Sequence, residues 1–437
     1  MEKLLETAKQ KVEQAEVYFL EENINLVQFE NARLKNIETS LQSGFSLRII
    51  KDNKLGFAYT RNLNDREGLI RNALATLKAN VKASFEFPLN TKQSLLDTYN
   101  PAIEKVTSSV VVEECNRIAD ILSSKTKGQV NLRTAFSVKT LKLINNKGTD
   151  LSLKTSNYFI YATVLYPNSY AAIHRILSFK NFEKAPDDYL DFLSSLYNRS
   201  AKEIKPQSGR MKVLFMPETV YVLMWRFRSA TSGEAVYQRE SPLIGKINEK
   251  IFSEKITIVN DPLNEKFPEP RPFDDEGTSC IFFPLVENGI LKNYYFDLDY
   301  ANKMNVKPTG HGFKSAQWSS EKIALKPTPS LQHLYIQPGA KSFSELLKSI
   351  DKGIIIAGAL GAHSGNILNG DFSIGLSPGI YVENGEIAGY VKDAMVAGNI
   401  YQILQNVVDL EDEVHFTIGG MFPAVLIDDV SVVIKNR

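Results

Sequence analysis

The sequence predicts an α+β fold: N-terminal and middle α+β units with antiparallel sheets, then a C-terminal, β-rich, barrel-like unit. Three observations carry this expectation. Helical apolar stripes and blocks of strand-like alternation follow one another through the first half of the chain. The 437 residues exceed what one small core serves, which points to two or three domains. The last third is the part richest in glycine and in short strand-like pieces. The expected divisions are 1–105, 106–205 and 206–437.

Taken in order, Leu4, Leu5, Ala8, Val12 and Ala15 fall at helical spacing and open the chain with an amphipathic helix. Alternating segments at Ala15–Leu20, Leu26–Phe29, Ser46–Ile50 and Leu55–Thr60 read as strands, with Lys51-Asp-Asn-Lys54 as a turn between the last two. Leu69, Ile70, Ala73, Leu74, Leu77 and Val81 mark a second helix entered through Asn64-Asp65 as its cap. Residues 84–105 show little periodicity and hold Pro88 and Pro101, so they read as a linker. The stripe Val111, Cys115, Ile118 and Leu122 predicts a helix over 109–124 with Cys115 in the core. Strand patterns follow at Val138–Ile144, Leu151–Thr155 and Tyr158–Leu165, and a helix near 186–202 closes the middle unit. The C-terminal third opens with a strand at Val213–Met216 and a helix from Pro217; a loop rich in proline lies at 262–272. Neither a repeat of 20–50 residues nor a low-complexity tract is present.

Composition narrows the functional classes. Hydrophobic content of 43% and charged content of 23% describe a chain able to build a core. A net charge of +1, from 51 basic and 50 acidic residues, supplies no field for nucleic acid or an anionic membrane. Two cysteines, Cys115 and Cys280, have no CxxC companion, so neither a zinc ribbon nor a disulfide framework is indicated. The first residues alternate charged and apolar side chains, and no apolar run reaches the roughly 18–20 residues of a membrane span. A cytoplasmic protein is expected.

The segment with the most chemical content is Ser229-Ala-Thr-Ser-Gly-Glu-Ala-Val-Tyr-Gln-Arg-Glu240. Zinc peptidases need imidazole or thiolate ligands on the metal and a carboxylate that takes a proton from bound water. Two ligands five residues apart sit about 140° apart on a regular helix, so they need a widened or broken turn. The stripe Val220, Leu223, Met224 and Phe227 makes the stretch before Gly233 helical, and Gly233 lies where the helix would loosen. Glu234 stands at a general-base position, but Gly233 and Gln238 occupy the two ligand positions. Without a metal to acidify water, one carboxylate is a poor hydrolytic catalyst at neutral pH.

These residues resemble the TldD/PmbA family, also described as modulators of DNA gyrase. That family pairs a metallopeptidase subunit bearing His-Glu-x-x-x-His with a sister subunit, TldE or PmbA, that lacks it. Gly233-Glu-Ala-Val-Tyr-Gln238 matches that motif in spacing and in its glutamate, and in neither histidine. The active branch also uses a cysteine near the C-terminus; the corresponding stretch here, Phe416-Thr-Ile-Gly-Gly420, has none. Gly44–Ile50, Gly56–Thr60, Asp274–Thr278, Gly365–Gly375, Glu383–Gly385 and Ala397–Asn399 resemble further family segments spread over nearly the whole chain. The resemblance implies a metal-free, TldE/PmbA-like subunit acting in proteolysis of unfolded peptides. Zinc would sit only on a TldD-like partner, with no cofactor in this chain. Glu234 and the glycine-rich segment, through Gly361, His363, Asn366, Asp371 and Ser373, would line a peptide groove.

Other motifs are weaker. Gly358-Ala-Leu-Gly-Ala-His-Ser-Gly365 follows the apolar strand Ile354–Ala357, but it has neither phosphate-loop spacing nor a terminal lysine. Pairing with extended peptide by strand addition suits its small residues better. His363, Ser364 and Asp371 lack a nucleophile elbow. His174, His311, His333 and His415 are scattered, although His311, His363 and His415 could meet in the fold to hold a metal. Asp274-Asp-Glu276 reads as a solvated acidic turn. Two rivals to the subunit reading are a stand-alone homodimer that binds peptide without catalysis, and an autonomous peptidase with an unrecognised site.

Overall fold

The computed structural model describes residues 1–92, 95–316 and 321–435. It confirms the α+β class. Six strands, β1 (Gln14–Glu30), β2 (Arg33–Lys51), β3 (Lys54–Thr60), β4 (Gln129–Asn145), β5 (Asp150–Leu165) and β6 (Ala172–Phe179), form one antiparallel sheet in the order β3-β2-β1-β4-β5-β6. The strands on both sides of residue 105 therefore belong to a single sheet, because β1 pairs with β4 from Glu16↔Asn145 to Phe29↔Leu132. The strands β1 and β2 run far beyond the alternating segments read from sequence. The outer half of β2, Arg33–Gln42, is largely exposed and is held by backbone pairing with β1. The outer half of β1 instead buries Val27 and Phe29 in the core of the helices Ser108–Lys125 and Asp187–Arg199, and pairs with both β2 and β4.

Helices α1 (Glu2–Lys9) and α2 (Arg66–Thr76) bury Leu4, Leu5, Ala8, Leu69, Ile70 and Ala73 against Val17, Leu47 and Ile49 of the sheet. Asp65 caps α2 by accepting from Gly68 N at 2.9 Å. Helices α3 (Ser108–Lys125) and α4 (Asp187–Arg199) lie in a second core. Cys115 is fully buried there, its thiol 3.4 Å from Thr134 Oγ1.

The C-terminal unit is built on a ten-stranded sheet that curls into a half-barrel. Gly209–Phe215 and Lys352–Ile356 are parallel neighbours at its centre. Their residues alternate strictly: Val213, Phe215, Ile354 and Ile356 face one core, while Leu214 and Ile355 face the α3–α4 core behind. The sheet is thus apolar on both faces and joins the two halves of the molecule. A second sheet of six short strands, among them Ile258–Asn260, Leu334–Ile336 and Gly420–Phe422, closes the front core. Helix α5 (Pro217–Thr231) feeds Val220, Leu223, Met224 and Phe227 into that same core.

Two sequence expectations are corrected. Residues 84–105 are not a free linker over their described part: Phe85 and Phe87 are buried, and Asn90 Nδ2 donates to Gly277 O at 2.9 Å. This strap is docked because its aromatic side chains find an apolar niche, which the lack of periodicity hid.

Nor is Asp274–Glu276 a solvated turn. All three residues are at most 3% exposed. Asp274 accepts from the amides of Glu276, Thr278 and Gly312, and Asp275 from Arg271 Nη2 at 2.7 Å and Tyr18 hydroxyl at 3.3 Å. Glu276 accepts from Arg48 Nη1 at 2.7 Å, and Arg48 also donates to Glu16 at 2.8 Å. The trio is a charged joint between the first sheet and the C-terminal unit. Burial, then repulsion from Glu276, pushes the Asp297 carboxyl beside it up to about 8. Burial and then Arg48 pull the Lys314 ammonium down to about 7.

Candidate functional site

Helix α5 ends at Thr231, and the five-residue helix α6 (Gly233–Tyr237) begins at once. Between them Ser232 is extended, with φ −64° and ψ 135°, so the helix breaks where the motif spacing required it. The break is held by a neighbouring segment. Gly233 N donates to Tyr295 O at 2.8 Å, Tyr295 N to Thr231 O at 3.2 Å, and Tyr295 hydroxyl to Arg228 O at 2.7 Å. Ser232 Oγ caps the new helix by accepting from Glu234 N at 3.3 Å.

The break aims Glu234 into an open cavity of about 370 Å³, which it lines with Gln238, Arg228, Trp225, Tyr295 and Ser330. Its Oε1 accepts from Tyr300 hydroxyl at 2.9 Å. Tyr300 stands on the short helix Leu298–Lys303, whose amides are ordered by Asp297. Burial, then the facing carboxylate, pushes the Tyr300 phenol above its ordinary range, so it stays a donor at neutral pH. Among the described residues, no cation lies within ion-pair distance of Glu234.

Gly233 is buried, and the space its side chain would need is taken. A Cβ there would lie 2.3 Å from Phe296 Cδ1 and 3.0 Å from Tyr295 O. Phe296 is itself 7% exposed. Gln238 is exposed on the first turn after α6, and its backbone amide donates to Glu234 O and Val236 O.

The glycine-rich segment sits beside this site rather than in it. Of residues 361–375, Leu368 lines the Glu234 cavity; Gly361, His363, Asn366, Asp371 and Ser373 do not. Sequence reading missed what holds this loop. Arg226, fully buried on α5, donates to the carbonyls of Asp371 at 2.6 Å, Ser364 at 2.7 Å, Val222 at 2.8 Å and Ala362 at 3.1 Å. Burial pulls its guanidinium down to about 10, and four carbonyls satisfy its donors in place of a carboxylate. Asp371 accepts from Asn399 at 2.9 Å, and Asn366 from the amide of Asn369 at 3.1 Å. Ser373 is paired with Ala397 within the sheet.

The three histidines considered for a metal are placed apart in role. His311 is buried with Nε2 3.1 Å from Asn260 and Nδ1 2.8 Å from Thr309. His363 is exposed on the loop, and His415 lies 3.5 Å from Glu411. Among the described residues, no group of three or more His, Cys, Asp or Glu side chains could hold a metal ion. Nor, among them, is any helix long and apolar enough to cross a membrane.

The site is thus an α+β frame carrying a broken helix, with a glutamate in the first turn after the break. Comparison with known proteins supplies the family. Residues 208–434 match the PmbA/TldA metallopeptidase C-terminal domain, and residues 15–82 match PmbA/TldA metallopeptidase domain 1. The chain belongs to the PmbA/TldA metallopeptidase family. An uncharacterized protein of Methanocaldococcus jannaschii is 26% identical over 418 residues, covering 94% of this chain and 95% of its own. A metalloprotease of the same organism is 25% identical, covering 90% and 89%. TldE from Thermococcus kodakarensis superposes with a TM-score of 0.90 at 21% identity, covering 99% of both chains, which shows the shared fold. A Thermotoga maritima protein named as a candidate modulator of DNA gyrase superposes at 0.87 with 26% identity, also over 99% of both.

Proposed function

We propose that this chain is a metal-free subunit of a TldD/TldE-type metallopeptidase, holding unfolded peptide while hydrolysis takes place on a partner's metal. The observation that carries this reading is the filled ligand position. The helix break, the cavity and the glutamate are all kept, yet the ring of Phe296 stands where a side chain at position 233 would go. The residues present do not suit zinc: a glycine and an exposed glutamine replace the imidazoles, and Phe416–Gly420 offers no thiolate. The reaction therefore needs a second chain bearing His-Glu-x-x-x-His, and Glu234 with Tyr300 acts here as a polar wall of the peptide cavity.

The test is reconstitution. This chain, a TldD-like chain and an unfolded peptide are mixed, and cleavage is followed by mass spectrometry, with each chain alone as control. Cleavage should require the mixture and should survive Glu234→Gln in this chain. Cleavage by this chain alone in chelator-treated buffer would sink the reading. A stable homodimer indifferent to the TldD-like chain would favour the stand-alone peptide-binding alternative.

A further inference from the structure

A second cavity, of about 330 Å³, adjoins the one at Glu234: Arg228, Ser315 and Leu331 line both. Its far wall comes from the first sheet, so it lies in the cleft between that sheet and the C-terminal unit. Four cationic side chains reach it, and they divide into two kinds. Lys139 is ion-paired with Glu22 and Glu269, and Arg271 with Asp275 at 2.7 Å. Arg228 and Lys322 have no carboxylate within ion-pair distance and donate no side-chain hydrogen bond among the described residues.

A separate observation points to a ligand in the same place. His333 is 5% exposed, and its Nε2 lies 2.7 Å from Glu269 O. A carbonyl only accepts, so Nε2 carries the proton and Nδ1 keeps a lone pair. Burial pulls this imidazole down to about 4, which keeps it neutral at pH 7. That Nδ1 has no partner, although it is buried. Arg271 Nε in the same wall is likewise unpartnered. Among the described residues, Arg228 without a carboxylate partner, Lys322 with carboxylates (Glu269, Asp275) only beyond ion-pair distance, and one unused acceptor suit a ligand that carries an anion and an N–H together.

We propose that this second cavity is a carboxylate subsite for the bound peptide, with Arg228 and Lys322 neutralising the carboxylate and His333 Nδ1 accepting a peptide N–H. The proposal rests on the peptide-holding function above and adds what the peptide must present. A residue at the free C-terminus supplies both groups at once; an internal acidic residue supplies the same chemistry from its side chain. Arg228 spans both cavities, so a peptide anchored here extends past Glu234.

The test uses the full chain and one unstructured fluorescent peptide in three forms: free acid, C-terminal amide, and amide with one internal glutamate. Anisotropy should show the free acid binding about tenfold or more tightly than the amide, with the difference shrinking as salt rises. Equal affinity of the internal-glutamate amide and the free acid assigns the subsite to acidic side chains; weak binding of that amide assigns it to the C-terminus. Arg228→Met should bring acid and amide within about twofold of each other, and Arg228→Lys should restore part of the gap. Equal binding of acid and amide to the unaltered protein overturns the proposal without any variant. Binding of none of the three overturns the peptide-holding function itself.

Discussion

The lone Glu234 and the acidic trio Asp274–Glu276 are opposites in structure. Glu234 lies half-buried at the edge of a cavity, satisfied by one phenol and, among the described residues, opposed by no cation. Asp274, Asp275 and Glu276 are sealed between two units, where backbone amides, Arg48, Arg271 and Tyr18 consume their oxygens. One carboxylate is kept available; the others are structural. The difference lies in partners far along the chain, since Arg48 and Glu276 are 228 positions apart. Availability, more than the presence of an acid, marks the site.

The largest effect expected from breaking this contrast comes from Arg48→Met. It leaves Glu16 and Glu276 buried against each other without their cation, and chemical denaturation should show a loss on the order of 3–5 kcal/mol. Next comes Gly233→His, which overfills the space held by Phe296. It should cost about 1–3 kcal/mol, and metal analysis of the purified variant should find no stoichiometric zinc. Zinc bound one-to-one by that variant would show that the ring yields and that the site is only dormant.

Asp297→Asn keeps the helix cap and removes a titration. In the folded protein this carboxyl holds its proton to about pH 8, against an ordinary value of 3.8. The folded state thus binds the proton more tightly, so its contribution is complete below about pH 3.8 and fades as pH rises to about 8. Unfolding midpoints of the variant should fall less between pH 4 and 8 than those of the unaltered protein. Identical slopes would remove Asp297 from the joint's electrostatics. The smallest effect belongs to Glu234→Gln, which should shift stability by no more than about 1 kcal/mol because its carboxylate is half-exposed and singly bonded. A loss matching that of Arg48→Met would erase the distinction between Glu234 and the acidic trio.

Local signals were readable in the sequence. The stripe Val111, Cys115, Ile118 and Leu122 placed α3 within one residue at each end, and the spacing around Gly233 located the helix break. The alternation of Leu26–Phe29 marked the outer part of β1, but the outer half of β2 was not readable, because its residues are exposed on both faces and only pairing with β1 defines them. Arg226 was invisible for another reason. A charged residue on a helix reads as a solvated position, and the carbonyls it binds lie up to 145 positions away. Phe296 and Tyr300 likewise gave no local sign of their roles at Gly233 and Glu234, because close approach across a fold leaves no pattern in spacing.

The ring of Phe296 also bears on how such a chain can change over generations. A histidine arriving at position 233 meets the ring and gains nothing, since position 238 is glutamine and the Phe416–Gly420 segment has no thiol. A histidine arriving at 238 first is tolerated at an exposed turn but has no companion. Each single step toward metal binding is thus harmful or idle, and only joint replacement of several positions would supply a ligand set. In this chain, packing around Gly233 as well as the residues at 238 and 416–420 stands against a metal at this helix break.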